Sequence, residues 1–76
     1  MDNLLEMIAS SLGVDKSQVH PDSTAENFPK WDSLRTVMLG SMLEMTYDLT
    51  LSAEEVSSLS SVPKIVATLK SHGVEL

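Results

Sequence analysis

Residues 31–47 read WDSLRTVMLGSMLEMTY, and this stretch decides the fold. Leucine, methionine and glutamate, which favour the helical conformation, follow Asp32 and Ser33, and aspartate and serine are preferred helix N-caps. The stretch therefore predicts a helix that is capped by Asp32 or Ser33 and ends near Tyr47 or Asp48.

This helix has two apolar faces. At 3.6 residues per turn, Leu39, Leu43 and Tyr47 lie on one stripe, which we expect to face the core. The other stripe begins at Ser33 and carries Leu34, Val37, Met38, Ser41 and Met45. A second apolar face on a small bundle is either additional core or a docking surface.

An apolar stripe with helical spacing also precedes this stretch. It consists of Leu5, Ile8, Ala9 and Leu12, and it predicts a first helix with Asp2 as N-cap and Gly13 as its stop. Residues 14–31 are rich in turn formers and predict a long loop. We expect Val14, Val19 and Phe28 to hold that loop against the core.

Two more helices are predicted towards the C-terminus. Ser52 and Glu55 have the spacing of a capping box, which predicts a short third helix through Val56 and Leu59. Ser61 followed by Pro63 is typical of a helix start, and the fourth helix would bury one face and stop at Gly73. That face consists of Val62, Ile65, Val66 and Leu69. The prediction is an all-α four-helix bundle: a single domain over residues 1–76, with three longer helices, one short helix, and a long loop between helices one and two.

Composition excludes several classes of function. Five basic against eleven acidic residues give a formal charge of −6, which disfavours nucleic acid as a partner. No apolar run approaches the roughly 18 residues of a membrane span, so we expect a cytoplasmic protein without membrane insertion. The chain has no cysteine, and its two histidines, His20 and His72, lack the spacing of metal ligands, so no metal site is predicted.

Ser33, at the predicted start of the second helix, is the candidate residue for a covalent modification. At the first turn of a helix, free backbone N–H groups and the helix dipole favour a phosphate attached to the hydroxyl. A serine hydrolase would need a nucleophile elbow and a histidine base, and neither is visible. Ser33 could also be a plain helix cap, and only its motif context argues against that.

The motif context resembles a known family. Trp31-Asp32-Ser33-Leu34 at the start of the second helix is similar to the attachment motif of acyl carrier and peptidyl carrier proteins. Leu12-Gly13-Val14-Asp15 resembles the end of that family's first helix, and Phe28 resembles its loop anchor. Tyr47-Asp48-Leu49 stands where the family usually shows Phe-Gly-Ile, and Asp48 is tolerable there because aspartate can adopt the left-handed conformation.

The resemblance implies a non-catalytic carrier. Ser33 would hold a covalent 4'-phosphopantetheine arm, Asp32 would support its attachment, and the arm's thiol would carry an acyl group as a thioester. The implied partners are a phosphopantetheinyl transferase, an acyl or aminoacyl ligase or synthase, and acyltransferases of lipid, fatty acid, polyketide or related specialised synthesis. The family's docking surface lies on the second helix. Its predicted members in this chain are Leu34, Arg35, Val37, Met38, Ser41, Glu44 and Met45.

Acidic residues are frequent on that surface in the family, whereas this chain has Arg35, Met38 and Met45 there and keeps Glu44. We therefore expect docking through methionine packing more than through charge, because methionine adapts to irregular surfaces. The monomer is the expected state. Two alternatives stay open: an aminoacyl or peptidyl carrier, and an unmodified helical module that binds partner helices.

Overall fold

The structure is a computed structural model that describes residues 2–76, and it is built from four α-helices. They are α1 (Asp2–Leu12), α2 (Ser33–Tyr47), α3 (Ala53–Ser57) and α4 (Val62–Ser71). Within this described part, the only extended pairing is an isolated antiparallel bridge between Thr24 and Ser61. The predicted all-α fold, with one short helix and a long loop after α1, is confirmed.

Local capping fixes the starts of α2, α3 and α4. Asp32 is the N-cap of α2, and its carboxylate accepts a hydrogen bond from the Arg35 backbone N–H. Ser52 and Glu55 form the predicted capping box of α3. Ser61 caps α4, with proline in the first turn as predicted. These side chains satisfy N–H groups that a helix leaves without intrahelical partners.

The ends of the helices follow from backbone conformations that few residues adopt. Gly13 and Gly73 have positive φ values of 71° and 84°, so both predicted stops are confirmed. Asp48 ends α2 in the left-handed conformation, at φ 53° and ψ 58°.

Two predicted helix boundaries were wrong. α1 already includes Asp2 as its first residue, and α3 ends at Ser57, two residues before the buried Leu59.

The long loop contains two short 3-10 turns, at Lys16–Gln18 and Ala25–Asn27, which the sequence did not predict. Val19 and Phe28 are buried and Val14 is half-buried against the core, so the predicted anchors are confirmed. The loop is also bonded to the start of α4. The Ala25 N–H donates to the Ser60 carbonyl at 2.7 Å, and the Val62 N–H donates to the Ser23 carbonyl at 2.8 Å.

The core is formed by one face of each longer helix together with loop residues. Its fully buried side chains are Leu4, Ile8, Leu12, Leu39, Leu43, Leu59, Val62, Ile65 and Leu69. The predicted face of α2 supplies Leu39 and Leu43, with Tyr47 half-buried. Trp31 is also buried, with 6% of its surface exposed, and the sequence did not predict this. No helix within residues 2–76 is long and apolar enough to cross a membrane.

Candidate functional site

Ser33 lies at the first helical position of α2 and is exposed. The sequence left open whether Asp32 or Ser33 is the cap, and the structure assigns that role to Asp32. Its Oδ1 accepts from the Arg35 N–H at 2.9 Å, and its carbonyl accepts from the N–H and hydroxyl of Thr36 at 2.9 and 2.8 Å. Capping therefore does not account for Ser33.

The position of Ser33 favours an attached anion. α2 is 15 residues long, and its peptide dipoles leave partial positive charge at the N-terminal turn. A phosphate on the Ser33 oxygen would lie beside the first N–H groups of this helix. Because the hydroxyl is exposed, an enzyme that modifies it can approach from solvent.

A groove of about 600 Å³ begins at Ser33 and runs between α2, α3 and the loop. Its α2 wall is made by Ser33, Thr36 and Val37, and its α3 wall by Ala53, Val56 and Ser57. Trp31 and Ala25 supply the loop wall, which the bonds from the loop to α4 hold in place. The sequence did not predict this groove, because its walls come from three separate segments.

Gly40 explains how closely α2 and α3 approach each other. A Cβ atom at this buried position would lie 3.3 Å from Cγ2 and 3.4 Å from Cγ1 of Val56. The sequence analysis gave Gly40 no role. A signal was available, because glycine inside a helix costs about 1 kcal/mol relative to alanine and often marks a close contact.

Trp31 has an unusual environment beside the groove. Its ring packs against Phe28 with centroids 6.2 Å apart and planes tilted by 51°. The indole Nε1 is buried and has no hydrogen-bond partner among the described residues. Buried tryptophan N–H groups usually have an acceptor, so this donor is an exception.

The second face of α2 lies outside the core. Leu34, Val37, Met38 and Met45 expose 67%, 55%, 46% and 84% of their surface, and Ser41 is exposed as well. The structure therefore places five of the predicted partner-binding residues on one accessible surface, which we call the α2 face.

The remaining two predicted partner-binding residues, Arg35 and Glu44, are half-buried and bonded within the fold. Arg35 Nη1 donates to the Ser11 carbonyl at 2.7 Å, in the last turn of α1, where carbonyls lack helical partners. Glu44 Oε2 accepts from the Leu51 N–H at 2.9 Å, across the turn that follows α2. Both side chains thus have structural roles that the sequence did not indicate.

The histidines show no metal site. Among residues 2–76 there is no group of three or more side chains able to hold a metal ion. His72 instead pairs with Glu55, with 2.7 Å between Nε2 and Oε2, and so joins the end of α4 to α3. The backbone N–H of Ser52 first, and the His72 hydrogen bond second, lower the pKa of Glu55.

Comparison with known proteins agrees with this geometry. The family model described as a phosphopantetheine attachment site matches residues 2–69. An acyl carrier protein of Clostridium acetobutylicum is 31% identical over 74 residues, which cover 97% of this chain and 96% of the relative. An acyl carrier protein of Chlorobium phaeobacteroides is 31% identical over 86% of this chain and 83% of its own length. One of Rickettsia canadensis is 31% identical over 88% of this chain and 78% of its own length.

The family match covers most of the chain, and these relatives align over 78–96% of their own lengths. Carriers of this family hold 4'-phosphopantetheine covalently, and they deliver bound groups to enzymes without being catalysts themselves. The four-helix fold agrees with this match. This chain belongs to the phosphopantetheine-binding family of acyl carrier proteins.

Proposed function

We propose that this protein is an acyl carrier in which Ser33 bears the phosphopantetheine arm, delivering acyl groups to enzymes of lipid, polyketide or related specialised synthesis. The observation that carries the proposal is the exposed Ser33 at the first position of α2, with capping already supplied by Asp32. The relatives named acyl carrier proteins favour acyl cargo over aminoacyl cargo.

The residues present fit the arm. Ser33 offers the ester oxygen, the start of α2 favours the phosphate, and the groove beside it has room for part of a flexible chain. Trp31 lines the same groove, and its buried indole N–H has no hydrogen-bond partner among residues 2–76. When bound, the arm supplies a thiol that holds the acyl group as a thioester, whereas the chain itself has no cysteine.

The chain's own contribution is to hold and present the arm. Asp32 fixes the first turn of α2 through its hydrogen bond to Arg35, so the Ser33 oxygen is displayed on a rigid helix start. Asp32 also immediately precedes the serine whose hydroxyl the transferase must modify. It can help to orient that hydroxyl or a metal ion brought by the transferase.

Intact mass tests the attachment. Incubation with coenzyme A and a broad-specificity phosphopantetheinyl transferase should add the mass of one arm to the protein. The Ser33→Ala variant should gain nothing, while Ser41→Ala, which removes another exposed serine of α2, should be modified like the natural chain. An unchanged mass for the natural protein would refute the carrier proposal and leave a helical interaction module.

Partner enzymes dock, in this proposal, on the α2 face, with Arg35 and Glu44 at its margins. Met38 and Met45 provide adaptable apolar contacts, and the exposed Ser41 between them on this face is uncharged. Because charge contributes little to such a surface, partner affinity should change little between two ionic strengths.

A charge on the α2 face tests the docking surface. Met38→Glu should slow loading by the cognate ligase or synthase at least tenfold, since it places a charge in an apolar contact. Ala67→Glu makes the same charge change at an exposed position of α4 and should leave loading unchanged. Equal loading of Met38→Glu and the natural protein would contradict docking through this face.

A further inference from the structure

The indole N–H of Trp31 is a buried donor without an acceptor. The side chain is 94% shielded, and its Nε1 makes no hydrogen bond within residues 2–76. Trp31 also lines the groove that contains Ser33, two residues further along the chain. The residue that carries this unsatisfied donor therefore forms part of the groove wall next to the attachment position.

Two other hydroxyl groups of the groove already have acceptors. The Thr36 hydroxyl donates to the Asp32 carbonyl at 2.8 Å, and the Ser57 hydroxyl donates to the Glu54 carbonyl at 2.9 Å. A ligand in the groove would have to break these bonds to use those donors. The Trp31 N–H has no bond to break within residues 2–76, and it is shielded from water, so an acceptor that reaches it stabilises a buried polar group.

We propose, resting on the attachment of the arm to Ser33, that Trp31 is a positioning residue whose indole N–H binds the first amide carbonyl of the phosphopantetheine arm. In the arm, the phosphate ester is joined to a methylene group, which is followed by a carbon that carries two methyl groups, then by a carbon that carries a hydroxyl, and then by that amide. The methyl groups match the apolar walls made by Val37 and Val56, and the carbonyl supplies the acceptor that the indole lacks.

Docking in this way requires a small movement. Nε1 is closed off from solvent, so the ring or the α3 wall must shift for the carbonyl to reach it. The α3 wall is suited to such a shift, because α3 has only five residues and Val56 is half-buried. The proximal half of the arm would then lie in the groove, while the thiol and its cargo extend beyond it towards partner enzymes.

The chain contains one tryptophan, so a single indole N–H signal reports on the site by ¹⁵N NMR. The signal should move downfield, and its exchange with solvent should slow, when the natural protein is converted to the modified form. The modified Trp31→Phe variant keeps an aromatic ring without the donor. In this variant the ratio of docked to free arm should fall about fivefold. The change would be observed as a shift of the arm's methyl signals towards those of free pantetheine.

A matched control is Ser57→Ala, which removes a hydroxyl from the opposite wall of the groove and should leave the methyl signals in place. The outcomes are distinguishable. If mass spectrometry shows no arm on the natural protein, the proposed function fails and this inference fails with it. If the arm is present and the indole signal is unchanged, only the role of Trp31 is overturned. That measurement uses the natural chain, so it does not depend on the folding of Trp31→Phe.

Discussion

Replacing Asp32 separates its structural role from its role in modification. Its Oδ1 accepts the Arg35 N–H at 2.9 Å, and losing an N-cap of this kind costs about 1 kcal/mol. Its negative charge at the start of α2 contributes roughly 0.5 kcal/mol more through the helix dipole. We therefore expect Asp32→Ala to lower the free energy of unfolding by about 1.5 kcal/mol. Asp32→Asn keeps the cap and should lose only roughly 0.5 kcal/mol.

Thermal unfolding followed by circular dichroism measures this difference. For a domain of this size, 1 kcal/mol corresponds to about 4–8 °C in Tm, so Asp32→Ala should unfold roughly 6–12 °C lower and Asp32→Asn roughly 2–4 °C lower. Ser61→Ala is the matched control, because Ser61 caps α4 by accepting the Lys64 N–H at 3.1 Å. It should lose about 1 kcal/mol as well.

The rate of phosphopantetheinyl transfer, measured well below every Tm, distinguishes the two roles. Both Asp32 variants should be modified at least about tenfold more slowly, because both lack the carboxylate that would orient the Ser33 hydroxyl or a metal ion. Ser61→Ala should be modified at the natural rate. A natural rate for Asp32→Asn would refute the reasoning and leave Asp32 as a cap only. If Ser61→Ala were also modified slowly, the lower rates would be explained by the lower stability of the fold and not by the loss of the Asp32 carboxylate.

Three further changes test contacts that join separate parts of the fold. Arg35→Met removes the 2.7 Å hydrogen bond to the Ser11 carbonyl. Urea unfolding should show that the free energy of unfolding falls by about 1–2 kcal/mol. An unchanged midpoint would mean that water replaces the bond at no cost. Leu43→Ala, at a fully buried position, should cost about 2–5 kcal/mol in the same assay, and a loss below 1 kcal/mol would contradict the close packing of this site. Because the Ser52 N–H and the His72 hydrogen bond lower the pKa of Glu55 in the folded protein, its stabilising contribution is present above the ordinary pKa of this carboxyl and is lost as pH falls through the lowered pKa. Tm measured down an acid series should thus fall less steeply for Glu55→Gln than for the natural chain, and identical slopes would argue against both of these bonds.

Local signals in the sequence predicted most of the helices, because capping and periodicity act over a few residues. The Ser52 and Glu55 pair and Ser61 follow from neighbours within three positions, and the structure shows Ser52 and Ser61 accepting the expected N–H groups. For α2 the same signals left Asp32 and Ser33 as alternatives, and the structure shows Asp32 in that role. The errors at Asp2 and Leu59 concern helix ends, where sequence signals are least precise.

Contacts between distant segments could not be predicted in the same way. Arg35 and Ser11 are 24 positions apart, and His72 and Glu55 are 17 apart, so no periodic pattern relates them. Arg35 was expected on the docking surface because it stands where acidic residues are frequent in the family. Its long side chain instead reaches the free carbonyls at the end of α1, and only the packing of α1 against α2 decides this.

The sequence by itself determined the four helices, the two faces of α2 and the serine at its start, since these depend on residue type and short-range spacing. Only the tertiary structure decided that Gly40 lets α3 approach α2, and that Trp31 is buried beside a groove with no partner for its N–H among residues 2–76. The physical reason is that a cavity and an unsatisfied donor are properties of several segments packed together, and no single segment carries them.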